Sequence, residues 1–175
     1  MVKYEGCCLF IDGLGKAPES FWDIAARFRQ ARPTFYVLES SHERDDFWTA
    51  AEACYANSLP IFYVGHSLGG SIVAALSAWV PLDRICTIDA VWPDWIGDAI
   101  TGDESSLQPL NVRLAAGGRA CSFTRKQGRN NRLMPGVPIA GWPSLEIDAG
   151  HNQIIAAVAD DVLAFLMTTT PIANI

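Results

Sequence analysis

Phe62-Tyr63-Val64-Gly65-His66-Ser67-Leu68-Gly69-Gly70 carries an apolar run directly into Gly-x-Ser-x-Gly and on into a helical pattern. A strand that turns sharply into a helix lifts the residue at the turn above the end of a sheet. Small residues two before and two after it let the backbone pass without a clash. The order of elements makes Ser67 a candidate nucleophile on a strand-to-helix elbow. It also fixes what the rest of the chain has to supply: a base, an acid and donors for an oxyanion.

Outward from the elbow, strand-like and helix-like patterns alternate. Cys7-Cys8-Leu9-Phe10-Ile11 is a short apolar run ended by Asp12-Gly13-Leu14-Gly15, which reads as a buried strand and a tight turn. Ser20 is expected to cap a helix with Phe21, Ile24, Ala25 and Phe28 on one face, closed by Pro33. Thr34 to Leu38 reads as a second strand, and Asp45 or Asp46 opens a helix carrying Phe47, Ala50, Ala51 and Cys54. Ile61 to Val64 is the third strand, and the helix after the elbow is expected to turn Ile72, Val73, Leu76 and Trp79 toward the sheet. Arg84 to Ile88 is a fourth strand ending at Asp89, whereas Ala90 to Gly118 shows little periodicity. Ala120 to Arg125 and Ser144 to Ile147 read as two more strands. A closing helix then buries Ile154, Ile155, Val158, Val162, Phe165 and Leu166. Near-continuous apolar strands alternating with helices predict an α/β fold: a mostly parallel sheet covered on both faces, with ligands at the carboxyl ends of the strands.

The 175 residues contain no Gly/Ser- or Pro-rich linker, so residues 1–175 read as one domain. Half the residues are apolar and 18% are charged, which suits a compact globular protein. A net charge of -6 argues against a nucleic-acid partner, which needs a basic face. The N-terminal residues lack a signal-peptide pattern, and the longest nearly apolar stretch, Ile72 to Leu82, is about half the roughly 20 residues of a membrane span. A soluble protein of the cytoplasm is expected. The cysteines at 7, 8, 54, 86 and 121 form no CxxC pair and read as reduced core thiols, with no metal role.

Three histidines are available as the base. His66 belongs to the elbow and should point away from the Ser67 side chain, and His42 sits in a polar loop early in the chain. His151 follows the last strand in Glu146-Ile147-Asp148-Ala149-Gly150-His151, in the order nucleophile, acid, histidine. The acid must orient the imidazole and stabilise it once protonated. Asp83 lies at the far end of its strand, Glu146 lies within a strand, and Asp148 is too close to His151 in sequence. Asp89, at the carboxyl end of the strand after the elbow, can reach the imidazole without a long loop; Asp94 is the alternative. The Leu68 amide is the expected oxyanion donor next to the nucleophile, and the second comes from the Asp12 to Gly15 turn, either Leu14 or Gly13.

These residues resemble the α/β-hydrolase family over nearly the whole chain. Gly65 to Gly70 is similar to the elbow of its lipases, esterases and thioesterases, and Phe10 to Gly15 to its oxyanion loop, with Asp12 where a histidine is frequent. Ser67 and His151 fall on family positions. The acid departs from the commonest arrangement: the later strand runs into Thr124-Arg125-Lys126-Gln127-Gly128 without a carboxylate, and Asp89 corresponds to a variant in some lipases of the family. No long insertion stands where a helical lid domain would. The resemblance implies a serine hydrolase for a small-molecule carboxylic ester or thioester, needing no cofactor or metal. A binding module that keeps the fold without the chemistry, and an acyltransferase, are the alternatives. Trp92 and Trp95 read as the wall of an acyl pocket or as loop packing. Arg125, Lys126, Arg129 and Arg132 read as a solvated basic loop or as an attractor for an anionic head group or carboxylate, and Leu133 to Pro138 as an exposed apolar loop that touches lipid or covers the pocket, or as a structural connection.

Overall fold

A strand that is apolar on successive residues has to be covered on both faces, and the strands of this chain are arranged accordingly. The computed structural model describes residues 3–13, 18–91, 109–126 and 136–168. Its sheet consists of β1 (Gly6–Asp12), β2 (Phe35–Ser41), β3 (Ile61–His66), β4 (Leu82–Ile88), β5 (Leu114–Arg125) and β6 (Ser144–Ile147). All neighbours pair in parallel, in the order β2-β1-β3-β4-β5-β6. The helices are α1 (Glu19–Ala31), α2 (Asp46–Ala56), α3 (Leu68–Trp79) and α4 (Gln153–Met167).

The two-residue period of a strand sorts the core into two layers. Cys8 and Phe10 of β1, with Phe62 and Val64 of β3, pack against Phe21, Ile24 and Phe28 of α1 and Ile155, Val158 and Val162 of α4. Cys7, Leu9 and Ile11, with Ile61 and Tyr63, pack on the other face against Phe47 and Ala51 of α2 and Val73 and Leu76 of α3. All five cysteines are free and buried. Desolvation pushes the Cys8 and Cys86 thiols and the Tyr63 phenol up from their ordinary values, so these groups sit in the core as neutral side chains.

The register levels the carboxyl ends of the strands. Ile11 pairs with Gly65, His66 with Ile88, Ile88 with Phe123, and Arg125 with Ile147. The turns that follow β1, β3, β4 and β5 therefore open on one edge of the sheet.

Several local expectations are corrected. The cap position of α1 is Pro18, and Ser20 lies inside the first turn, because the Pro18 carbonyl already accepts from the Phe21 N–H at 2.9 Å. Trp79 is 65% exposed, with its Nε1 donating to Glu52 Oε1 at 2.8 Å, and Ile72 is only half-buried. The face of α3 that meets the sheet is instead Leu68, Gly69, Gly70, Val73, Leu76 and Ser77: small residues let this helix sit closer than its largest side chain would allow. Strand β5 begins at Leu114, within the stretch that lacked periodicity. Gly117 has φ 77°, and the register shifts between the pairs Leu82 with Leu114 and Arg84 with Arg119, so alternation fails there. Gly136 to Pro138 is no exposed loop: Val137 is buried and its N–H donates to the Ala90 carbonyl at 2.7 Å.

The two faces of α3 give a direct check. Leu76→Ala should destabilise the protein by about 2–5 kcal/mol and Trp79→Ala by less than about 1 kcal/mol. Equilibrium urea unfolding measures both, and equal losses would contradict the helix orientation.

Candidate active site

The elbow is built by backbone contact. Ser67 has φ 55° and ψ -128°, a conformation that costs on the order of 1–3 kcal/mol for a residue with a Cβ and needs surrounding structure to hold it. Its N–H donates to the Ile88 carbonyl at 3.2 Å, and its own carbonyl accepts from Val91 at 3.1 Å and Gly70 at 2.9 Å. The Tyr63 hydroxyl donates to the Gly69 carbonyl in the first turn of α3. A Cβ on Gly65 would lie 2.7 Å from the Gly70 Cα, and one on Gly70 would lie 2.6 Å from the Ala90 Cβ. A Cβ on Gly69 would run into the backbone of Ile11 and Asp12. The glycines of the motif are thus required by how near α3 stands to β1, β3 and the end of β4.

Gly13 stands opposite the nucleophile. A Cβ on Gly13 would lie 2.6 Å from Ser67 Cβ, 2.8 Å from Ser67 Oγ and 2.9 Å from the Leu68 nitrogen. The space between the β1 turn and the start of α3 is therefore the space beside the Leu68 amide, one of the N–H groups that a helix start leaves without an intrahelical acceptor. The Gly13 N–H itself donates to Asp12 Oδ1 at 2.6 Å, and the Gly13 carbonyl accepts from His42 Nδ1 at 2.9 Å. Leu14 and Asp94 lie outside the described residues, as do Trp92, Trp95, Arg129, Arg132 and Leu133 to Pro135.

Asp89 and His151 come together. Asp89 follows β4 with φ 47°, is fully buried, and donates its N–H to the Phe123 carbonyl at 2.7 Å. Its Oδ2 stands 2.5 Å from His151 Nδ1. A carboxylate only accepts, so Nδ1 carries the proton of this contact. The His151 side chain is 18% exposed, and the residue leads into α4, whose Ile154 N–H donates to the Gly150 carbonyl at 2.9 Å. The buried Asp89 and the half-buried His151 thus meet at the strand edge that also carries Ser67.

Three groups with no role in the sequence reading belong to the site. Arg125, expected in a solvated loop, is buried at the end of β5: its Nε pairs with Asp89 Oδ2, and its backbone N–H reaches Asp89 Oδ1 at 3.3 Å. His66 lies against His151, with ring centroids 4.7 Å apart and its Nε2 3.2 Å from the His151 carbonyl oxygen. Its Nδ1 is 3.4 Å from Asp12 Oδ1. Gly136 packs so closely on Asp89 that a Cβ there would strike Oδ1. Only the position of Arg125, where the later strand ends without an acid, gave a signal in the sequence.

No model of a protein family and no curated protein matches the sequence. Solved structures do match. A protein of the α/β superfamily of hydrolases from Xanthomonas campestris pv. campestris superposes with a TM-score of 0.60 at 17% identity, covering 92% of this chain and 98% of its own. Est1E from Butyrivibrio proteoclasticus gives 0.55 at 15% identity over 95% and 90% of the two chains. This chain has the α/β-hydrolase fold. A soluble variant of monoglyceride lipase from Saccharomyces cerevisiae, solved with a substrate analogue, gives 0.54 at 13% identity over 97% and 89%. An α/β-hydrolase fold accounts for a parallel sheet whose candidate site residues stand on the turns after its strands. The described residues show no separate lid, and no helix among them is long and apolar enough to cross a membrane.

Gly13→Ala tests the space opposite Ser67. The added methyl should displace the serine or fill the cleft beside the Leu68 amide, slowing labelling of Ser67 by a fluorophosphonate on the order of 100-fold while the circular dichroism spectrum is kept. Labelling at the unaltered rate would show that the cleft is not where the reagent binds.

Proposed function

We propose that the chain is a serine hydrolase that cleaves a small-molecule carboxylic ester or thioester through an acyl-enzyme on Ser67. The observation that carries the reading is the 2.5 Å contact between the buried Asp89 carboxylate and His151 Nδ1, on the strand edge where Ser67 is held in a strained turn. A weakly acidic hydroxyl needs a base before it can attack, and this pair supplies a neutral imidazole with Nε2 available.

In the proposed reaction Ser67 Oγ attacks the substrate carbonyl carbon as its proton passes to His151 Nε2. The negative charge that develops on the carbonyl oxygen is met by the Leu68 and Leu14 amides. Leu14 is preferred over Gly13 because the Gly13 N–H is already given to Asp12 Oδ1. The tetrahedral intermediate collapses, His151 returns the proton to the leaving alcohol or thiol, and the acyl group stays on Ser67. A water then repeats the sequence: His151 takes its proton, the hydroxide attacks the acyl carbon, and Ser67 Oγ departs with the proton from Nε2. Asp89 keeps the tautomer and orientation of the ring through both halves. None of these steps calls for a metal or an organic cofactor. The free, buried cysteines suit a reducing compartment, and we place the protein in the cytoplasm.

Turnover of a panel of p-nitrophenyl esters and acyl thioesters tests the reading. Ser67→Ala should abolish turnover and fluorophosphonate labelling with the fold intact. Asp89→Asn should lower kcat on the order of 10³–10⁴-fold, with Asp94→Asn close to the unaltered protein. A severe loss in Asp94→Asn alone would move the acid to Asp94. An unlabelled Ser67 would favour a binding module on this fold, and acyl transfer to an added alcohol or thiol in preference to water would favour an acyltransferase.

A further inference from the structure

The Asp89 carboxylate has more than one nitrogen partner. Oδ2 faces both His151 Nδ1 and Arg125 Nε, while Oδ1 faces the Arg125 backbone N–H. The side chains of Asp89 and Arg125 are 0% and 7% exposed, so little solvent lies between these charges to weaken their interaction. A buried carboxylate needs such compensation: one hydrogen bond to a neutral imidazole does not replace the water that an ionised group loses on burial. In a triad whose acid has no other cation, proton transfer from serine converts a neutral imidazole beside an anion into a balanced ion pair. Here the anion is balanced before the reaction starts, and the imidazolium arrives as a second cation on the same oxygen.

Resting on the hydrolase reading above, we propose that Arg125 is a positioning residue for the acid: its guanidinium holds the Asp89 carboxylate and balances its charge where it meets His151. Other ionisable groups face the couple. His66 lies against the His151 ring, with Asp12 behind it, while Lys126 and Asp148 are the chain neighbours of Arg125 and of the turn before His151. These are common to all the variants below, so differences among the variants report the charge at position 125. A geometric role alone would require the fork of the guanidinium. The electrostatic role requires only a positive charge.

The sign of the effect follows. Removing the cation strengthens the hold of Asp89 on a protonated His151 and also eases protonation of Asp89 itself. Both changes move uptake of the first proton by the couple to higher pH. In Arg125→Gln and Arg125→Met the NMR titration of the His151 ring, followed in the Ser67→Ala background, should therefore move up by about one pH unit or more. Arg125→Lys should titrate near the parent. In the Ser67-containing proteins the acid limb of kcat/KM for a p-nitrophenyl ester should move by the same amount in the same order. An unmoved titration in both charge-free variants would overturn the proposal, as would a lysine variant that moves as far as they do. The two charge-free variants differ in polarity and hydrogen-bonding capacity, so failure of one to fold leaves the other to decide. The titration does not depend on turnover: a titration that moves in a protein without esterase activity would uphold the role of Arg125 while removing the hydrolase reading, whereas an active enzyme whose titration stays fixed would do the reverse.

Discussion

The site depends on how closely helix α3 approaches the ends of β1, β3 and β4. An α-helix that follows a strand without a loop must reverse direction within one or two residues, and the residue at that point pays for the reversal in backbone strain. Ser67 does so at φ 55° and ψ -128°. Three glycines take the contacts that any side chain would make, the Tyr63 hydroxyl ties the first turn of the helix back to β3, and Ile88 and Val91 hold the Ser67 peptide groups from either side. Each of these partners is a core or strand-end residue. The strain at the serine is thus supported by the fold and not by the flanking loops.

Asp89 repeats the device one strand over. It too leaves its strand with positive φ, here 47°, and its N–H is returned to the neighbouring strand through the Phe123 carbonyl. A non-glycine residue in this region is sterically disfavoured, and two of them stand at adjacent strand ends on the same edge of the sheet. The electrostatics differ sharply. The serine is neutral and needs only space, whereas the aspartate carries a charge into a fully buried position and draws an arginine in with it. His151 stands in the turn between β6 and α4 and contacts Asp89, so the pair ties the end of β4 to the segment that follows the last strand.

Much of this was legible in the sequence because it rests on periodicity and order. The apolar runs marked both layers of the core, and the buried positions of α1 and α4 agree with the spacing of their apolar residues. A level sheet sets Asp89 near His151, and the two stand in contact. The failures have physical causes. Trp79 is large and apolar, but it ends the last turn of α3 on the side away from the sheet, where its Nε1 donates to Glu52. Arg125 was read from its basic neighbours as solvated, since no local pattern announces that a charge is paired with an acid 36 residues earlier. His66 was set aside because a residue beside a nucleophile points elsewhere, yet elsewhere is where His151 stands.

Asp12 was the residue that departed from the resemblance, and its surroundings supply a reason for it. Its carboxylate lies at the end of β1, takes the Gly13 N–H, and faces Nδ1 of His66 at 3.4 Å. Nε2 of the same ring faces the His151 carbonyl oxygen at 3.2 Å. Asp12, at 3% exposure, would be poorly solvated without partners, and His66, equally buried, would leave ring nitrogens unmatched. Placed together they satisfy one another, and they join the ends of β1 and β3 to the turn that carries His151. The same carboxylate engages the Gly13 amide at 2.6 Å. A histidine at position 12 would present a different set of donors and acceptors to both His66 and Gly13. The departure at position 12 and the buried histidine at position 66 are therefore one feature, and neither can be understood without the other.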